Sequence, residues 1–373
     1  MLLKNAELFD ANFNRIRADL RVEDGCIAEI APSLPGEGLD FTDCVILPGF
    51  IDIHIHGCNG ADFGDGTVSS LETMSVYLAR QGITSFCPSS VTAPEECIAA
   101  SYSAAASYMG REKGAYIHGV HMEGPYLSVK RKGAQPEAHI RKPDLAEFER
   151  LNQLCPIRLV AVAPEAEGAF EFARAVSPTC RVSAAHSAAS CELVAEAFAN
   201  GFSHATHLFN GMGPILAREP GLAVAVLDDG SVSAELICDG RHIDPALLRV
   251  AFRLLEEDRS VVVSDAMRAS GLVDGTFDLG GQTVYVKNGC ATLADGSLAG
   301  STSNLFEEFR NLLRYGIPLR QAVKSCSINP ARVIGTDGET GSLAVGKAAD
   351  LLVLDRDLMR IQAVFINGKQ RAL

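Results

Sequence analysis

The sequence has no Cys-x-x-Cys pair and no extended cluster of basic residues. Its eleven cysteines stand at irregular spacings, and an odd number fits a reducing compartment better than a disulfide framework. The formal net charge is −13, whereas nucleic acids and anionic membranes are bound through clustered Lys and Arg. The sequence therefore predicts no nucleic-acid partner and no membrane partner. A small anion could still bind in a local basic pocket.

Long apolar runs are also missing. The first residues, Met1-Leu2-Leu3-Lys4-Asn5, lack the charged and apolar regions of a signal peptide, and no run reaches the ~20 residues of a membrane span. We therefore expect a cytoplasmic protein. Apolar residues are nevertheless abundant, at 47% of 373 residues, which is enough for one large domain and a smaller one.

Both ends of the chain alternate apolar and polar residues as strands do. Asp24-Gly25 and Asn367-Gly368 are dipeptides typical of tight hairpin turns. We therefore predict a small β-sandwich domain assembled from residues 1–47 and 336–373.

The middle of the chain, residues 48–335, alternates short apolar runs with helical periodicity, as in a parallel sheet with crossover helices. Eight runs are predicted strands: Ile51–His56, Ile83–Cys87, Tyr116–Glu123, Arg158–Ala163, Arg181–His186, His204–Leu208, Val232–Cys238 and Val261–Asp265. Predicted helices include Val68–Gln81, Glu95–Met109, Leu145–Leu154 and Cys191–Asn200. This pattern predicts a (β/α)8 TIM-like barrel, with its chemistry at the carboxyl ends of the strands. Asn288-Gly289 indicates a β-hairpin inserted near residues 272–294.

Polar residues concentrate where the predicted strands end. Period-2 alternation places Asp52, His54 and His56 on one face of the first strand. Four other runs end in residues that can bind a metal, namely Glu123, His186, His207 and Asp265. Imidazole and carboxylate suit zinc, iron, manganese or cobalt. The sequence therefore predicts a metal site at one end of the barrel.

Each of these residues also has a simpler interpretation. Asp265 could cap a helix, and Glu123 could pair with Lys130 or Arg131. Arg218, a basic residue outside this group, could form an ion pair with the neighbouring Glu219. The other histidines are expected to be ordinary hydrogen-bonded residues: His118, His121, His139 and His204.

Several motifs carry a family resemblance. Asp52-Ile53-His54-Ile55-His56-Gly57, Asn329-Pro330-Ala331 and the segment Gly341–Leu351 resemble the metal-dependent amidohydrolase superfamily. More specific motifs cover essentially the whole chain and resemble the family of N-acetylglucosamine-6-phosphate deacetylases: His121–Tyr126, Lys132–Ala134, Ala185–Ser187, Thr206–Met212, Arg218–Gly221, Asp239–His242 and Ser264–Ala266.

The resemblance implies a role for each matching residue. Glu123, His186 and His207 would hold the principal metal, and Asp265 would be the catalytic acid and base for a metal-activated water. His54 and His56 would add a second metal site, since some members have Gln in place of His56 and bind one ion. The implied substrate contacts are Ala134, Gln135, Asn210, Gly211, Arg218, Asp239, Gly240, Arg241, His242, Leu298, Ala299 and Gly300.

The resemblance further implies a divalent ion, zinc or iron, a phosphorylated amino-sugar substrate and a homodimer that shares the phosphate contacts. The products would be acetate and glucosamine 6-phosphate. Many members have His where this chain has Gln135. Three other functions stay open: deacetylation of the galactosamine epimer, hydrolysis of a cyclic amide, and a scaffold without activity.

Overall fold

Strands from both ends of the chain form one eight-stranded sheet in the computed structural model, which describes residues 1–372. Cys44–Pro48 lies between Leu2–Phe9, to which it is parallel, and Leu351–Asp355, to which it is antiparallel. The remaining strands are Arg15–Glu23, Cys26–Ala31, Leu39–Asp40, Ile361–Ile366 and Lys369–Arg371.

This terminal sheet encloses a core of its own. The edge strand Cys26–Ala31 contacts the segment that precedes the C-terminal strands, because the Ile27 N–H donates a hydrogen bond to the Lys347 carbonyl. The enclosed apolar cluster takes side chains from both ends of the chain, among them Leu20 and Phe365. We propose that residues 1–47 and 336–373 make up this small domain.

The two predicted turns of the terminal sheet are present. Asp24, Gly25, Asn367 and Gly368 all have positive φ. A two-residue type I′ turn needs this conformation at both central positions. The dipeptides therefore identified the turns correctly.

The predicted eight-stranded barrel is confirmed. Its parallel strands, numbered first to eighth along the chain, are Phe50–Ile55, Ile83–Ser90, Val120–Glu123, Ile157–Val162, Arg181–Ala184, Phe202–Ala205, Ser233–Leu236 and Ser260–Val262. The helices that surround them or follow them are Val68–Arg80, Glu95–Tyr108, Leu145–Leu154, Ala169–Val176, Cys191–Ala199, Gly221–Asp228, Pro245–Arg259, Leu305–Arg314, Leu319–Cys326 and Ile328–Val333. Short 3-10 turns occur at Phe63–Asp65, Val129–Arg131 and Glu137–His139.

One predicted strand, Tyr116–Glu123, is two strands in the structure. Tyr116–Ile117 pairs with the second barrel strand, and Val120–Glu123 forms the third. Between them Gly119 has a φ of +130°, and a Cβ there would lie 2.5 Å from the Pro156 carbonyl oxygen. Glycine is required at this break between the two strands, because a side chain here would clash with the Pro156 carbonyl.

The face prediction for the first strand is wrong for Asp52. Ile51 and Ile53 belong to the apolar cluster inside the barrel, whereas Ile55 packs in the outer core. Pairing with the second strand is irregular between Asp52 and Ile55, so the alternation changes phase there. The Asp52 carboxylate instead accepts a hydrogen bond from the Ser264 hydroxyl.

The first and eighth strands meet through a few bonds rather than a regular ladder. Asp265 N–H donates to His54 O, and His56 N–H donates to Ala266 O, both at 2.9 Å. Two residues with metal-binding side chains are thereby held next to the eighth strand by their own backbone.

The predicted hairpin insertion is present and has three strands. They are Gly275–Leu279, Gln282–Lys287 and Cys290–Thr292, with Asn288-Gly289 at the second turn. An antiparallel pair, Gly57–Cys58 with Ala61–Asp62, follows the first barrel strand. No helix among residues 1–372 combines the length and apolar character needed to cross a lipid bilayer.

We expect Phe309→Ala to lower the free energy of unfolding by about 3–5 kcal/mol, because it leaves a cavity in the core. Phe309 is fully buried, and its ring centroid lies 5.0 Å from that of Phe50 on the first barrel strand. Leu254→Ala is the control, since Leu254 is 47% exposed and should change stability by less than about 0.5 kcal/mol. Denaturant midpoints measure both. Equal midpoints for the two variants would contradict this packing.

Candidate metal centre and active site

Six polar side chains converge at the carboxyl-terminal end of the barrel, as their positions at the ends of the predicted strands indicated. They are His54, His56, Glu123, His186, His207 and Asp265, and all are buried. The chain turns sharply after three of the strands to bring these side chains inward: φ is +42° at His186, +31° at His207 and +46° at Asp265. Non-glycine residues in this conformation typically cost on the order of 1–3 kcal/mol and are concentrated at functional sites.

Glu123 lies at the centre of the group. Its Oε1 atom is 3.0 Å from His186 Nε2 and 3.0 Å from His207 Nε2. The two imidazole nitrogens are also 3.0 Å from each other. These three atoms therefore form a compact triangle of ligand atoms.

A second set of contacts lies on the other side of the same carboxylate. His56 Nε2 is 3.2 Å from Glu123 Oε2 and 3.2 Å from Asp265 Oδ1. His54 Nε2 is 3.7 Å from Glu123 Oε1 and 3.5 Å from Asp265 Oδ1. Glu123 thus contacts His186, His207 and, at a longer distance, His54 through Oε1, and it contacts His56 through Oε2.

Hydrogen bonds to the other ring nitrogen fix the tautomers of three histidines. Nδ1 lies 2.9 Å from Arg131 O in His186, 3.0 Å from Ser89 O in His56, and 2.9 Å from Glu235 Oε2 in His54. A carbonyl or carboxylate oxygen can only accept, so each Nδ1 carries the hydrogen of the neutral ring. In the neutral ring each Nε2 then presents a lone pair to Glu123 or Asp265, and that position can take up either a proton or a metal ion.

Lone pairs on nitrogen and oxygen repel at these distances unless a cation lies among them. Ligands that bind one zinc ion at ~2.0–2.2 Å are about 3.0–3.5 Å apart, which matches the triangle around Glu123. His54 Nε2 has no hydrogen-bond partner among residues 1–372. The donor set, its spacing and its tautomers therefore fit a divalent metal ion.

The electrostatics of the group favour positive charge. Burial raises the pKa of Glu123, but the neighbouring imidazoles outweigh burial and hold the pKa well below its usual range. Asp265 also has a lowered pKa despite burial, because His54 and His56 are close. Burial lowers the pKa of His56, yet hydrogen bonds to Asp265 and Glu123 raise it to about 10. Both carboxylates are thus ionised at neutral pH.

A cavity of about 230 Å³ opens beside this centre. Several predicted substrate contacts line it: Ala134, Gln135, Asn210, Gly211, His242, Leu298 and Gly300. Val91, Leu279 and Ser297 also line it, and the sequence did not single them out. Leu279 belongs to the inserted hairpin, so this insertion forms part of the cavity wall.

The other predicted substrate residues do not line this cavity. Asp239 lies behind His242, whose Nδ1 is 2.9 Å from Asp239 Oδ2. Burial lowers the pKa of His242, but Asp239 outweighs burial and raises it, so the imidazolium that an anion would prefer is stabilised. Arg241 donates to Asn288 O. Ala299 stands between the lining residues Leu298 and Gly300 in sequence, and Gly240 stands two positions before the lining residue His242. Arg218 is exposed outside the cavity.

Gln135 lines the cavity and also contacts the metal centre. Its Nε2 donates to Glu123 Oε2 at 2.7 Å, and its Oε1 accepts from Thr92 N–H at 2.7 Å. Gly211 is similarly constrained, since φ is +60° and a Cβ would lie 2.8 Å from His186 Nδ1. Gln135 thus fixes the carboxylate of Glu123 by a hydrogen bond, and Gly211 leaves room for the ring of His186.

The simpler interpretations fare differently. Glu123 contacts the four histidines rather than Lys130 or Arg131. His204 is an ordinary hydrogen-bonded residue, between Ser233 and Glu235. His121 bonds Ser89 through Nδ1, but His118 and His121 each leave a buried Nε2 without a partner in the described chain.

Sequence reasoning missed Glu235, which lies inside the seventh strand and is fully buried. Its carboxylate contacts His54 and His204. The available signal was an acidic residue within the apolar run Ala234–Cys238. A charge in such a run is costly unless it is paired.

Comparison with known proteins identifies the family. Residues 45–371 match the model of the amidohydrolase family. N-acetylgalactosamine-6-phosphate deacetylase of Escherichia coli O157:H7 is 36% identical over 94% of this chain and 93% of its own length. N-acetylglucosamine-6-phosphate deacetylase of Bacillus subtilis (strain 168) is 35% identical over 96% of this chain and 93% of its own.

Solved structures agree with this result. N-acetylglucosamine-6-phosphate deacetylase from Pasteurella multocida superposes with a TM-score of 0.94 and 31% identity, over 100% of this chain and 99% of that chain. A mutant of the Mycobacterium smegmatis enzyme, in complex with N-acetyl-D-glucosamine-6-phosphate, has a TM-score of 0.93 and 32% identity over the same shares.

We expect His207→Ala to lose metal, because it removes one of the three atoms of the triangle around Glu123. The affinity should fall by more than the roughly 10–100-fold that loss of an outer hydrogen-bond partner costs. Elemental analysis after purification without chelator measures it. His139→Ala is the control, since His139 lies on a 3-10 turn outside the group. Full metal occupancy in His207→Ala would refute the ligand assignment.

Proposed function

Because the chain belongs to the amidohydrolase family, we propose that it removes the N-acetyl group of N-acetylglucosamine 6-phosphate. The products are glucosamine 6-phosphate and acetate. One observation carries the proposal: four imidazole nitrogens and Asp265 surround Glu123 beside a cavity that also contains His242. The near full-length relatives that carry this activity in their names support it.

The proposed metal is held by Glu123, His186 and His207, with His54 and His56 available for a second ion. When bound, it supplies a Lewis acid that polarises the amide carbonyl and makes water more acidic. Zinc or iron is proposed, because imidazole and carboxylate suit both. The buried, apolar surroundings strengthen these electrostatic interactions.

Asp265 is the proposed catalytic acid and base. It is ionised and lies at the edge of the cavity, with Oδ1 pointing to the same space as the imidazole nitrogens. It accepts a proton from the attacking water and returns this proton to the amide nitrogen as the C–N bond breaks. Its short contact with His56 fixes the orientation of the carboxylate.

The remaining cavity residues bind the sugar phosphate in this proposal. Asp239 favours the protonated form of His242, and Asn210 and Gly211 also line the cavity. Ala134, Leu298 and Gly300 shape the apolar wall, and Ala299 connects the last two. Binding energy from such distant groups orients the acetamide for attack.

We further propose a homodimer in the cytoplasm. Arg218 lies outside the cavity of its own chain, which supports a role across a subunit boundary in binding phosphate. The eleven cysteines are all free, as a reducing compartment would keep them.

Deacetylation of the galactosamine epimer is the second candidate. It is favoured by the Escherichia coli relative, whose name specifies this epimer. That relative is 36% identical to the chain, and the Bacillus subtilis relative, whose name specifies the glucosamine derivative, is 35% identical. A cyclic-amide hydrolase finds less support, since such enzymes often use a carboxylated lysine as a bridging ligand and Glu123 stands in the centre of this site. A scaffold without activity is disfavoured because all six proposed functional side chains are present.

We expect the purified protein to release acetate from N-acetylglucosamine 6-phosphate, to stop after chelation and to recover on return of zinc or iron. The galactosamine epimer, assayed in parallel, distinguishes the two candidates by kcat/KM. Unphosphorylated N-acetylglucosamine is the control and should react poorly, because it lacks the group that His242 binds. No acetate from either phosphorylated sugar at full metal content would exclude this function.

We expect Asp265→Asn to lower kcat by at least about 100-fold, as loss of a general acid–base typically does. Metal content and the thermal midpoint should stay close to those of the unsubstituted protein. Asp357→Asn, in an exposed turn, is the matched control and should retain full activity. Turnover near the original level in Asp265→Asn would remove this residue from the mechanism.

A further inference from the structure

Glu235 is a fully buried carboxylate beneath the metal centre. Its only ion-pair partners within 4.0 Å among residues 1–372 are His54 and His204, so no Lys or Arg compensates its charge. A buried carboxylate is costly unless it is paired and hydrogen-bonded, and here only histidines supply the pairing. Its presence therefore calls for an explanation in the site above it.

Glu235 connects the two sides of the centre. Its Oε2 accepts from His54 Nδ1–H at 2.9 Å and from the backbone N–H of His207 at 3.1 Å. His54 comes from the first strand, and His207 follows the sixth. One carboxylate thus positions a side chain on one side of Glu123 and the backbone on the other.

The bond to His54 decides which nitrogen of that ring is free. Because Nδ1–H donates to Glu235, Nε2 is the nitrogen left free in the neutral ring, and it points towards Glu123 and Asp265. That Nε2 has no hydrogen-bond partner in the described chain. A ring held this way directs Nε2 to a position between Glu123 and Asp265 where a cation can bind.

We propose that Glu235 is a positioning residue that makes the His54–His56 side a second divalent-cation site. It orients His54 and adds a third carboxylate charge near Glu123 and Asp265. With Glu235 in place the centre binds two ions, and without it the centre binds one. This inference rests on the proposed metal-dependent function. Outer carboxylate partners of this kind orient histidine ligands and increase metal affinity.

The test is a titration of the metal-depleted protein with Co2+ as the probe. The unsubstituted chain should bind two ions, with visible absorption for each and magnetic coupling between them. In Glu235→Gln the first ion should bind as before, while the affinity for the second falls by about 10–100-fold and the coupling disappears. Glu235→Asp, which keeps the charge at a shorter reach, should recover part of the second binding step.

Ser233→Ala is the matched control. It removes the other hydrogen bond of His204 and leaves the contact between Glu235 and His54 in place, so both ions should remain. Two ions at unchanged affinity in Glu235→Gln would overturn the inference. So would a single ion in an unsubstituted protein that hydrolyses the substrate, although the proposed function would then stand. Absence of both bound metal and hydrolysis would instead refute the proposed function.

Discussion

The constraint on which this structure depends is a buried carboxylate surrounded by lone pairs. Glu123 is 2% exposed and faces four imidazoles. Three of these rings donate their other N–H elsewhere, to Arg131, Ser89 and Glu235. The rings therefore cannot relieve the negative charge as neutral donors, and a cation among them is the arrangement that satisfies every group. The metal-dependent chemistry follows from this hydrogen-bond pattern.

The barrel meets that constraint through its strand ends. Side chains from five different strands or the residues that follow them reach one point, and three of them do so with a left-handed backbone. The strain is supported by neighbouring structure. Gly211 leaves room for the ring of His186, and backbone bonds hold His54 and Asp265 together across the junction of the first and eighth strands.

The barrel interior contains an apolar cluster that includes Ile53, Leu159 and Val263. Glu235 and His204 form a buried polar contact, and Glu235 also accepts a hydrogen bond from His54 at the metal centre. The carboxylates of the centre favour a cation there, while Asp239 favours the protonated form of His242 at the cavity, which suits an anion. Local arrangement outweighs the net charge of −13.

Local sequence patterns were enough to predict the barrel, the terminal sheet, the hairpin turns and the six side chains that converge at the metal centre. Short-range rules suffice there: apolar runs of strand length, Asn-Gly and Asp-Gly turns, and polar residues at strand ends. Those patterns did not reveal the face of Asp52, the break at Gly119, the partners of Gln135 or the contacts of Glu235. Each of these depends on residues far apart in the chain, such as Glu235 with His54 across 181 positions. Only the closed barrel brings such residues together, because its curvature and local irregularities decide which side chains share the small space at its centre.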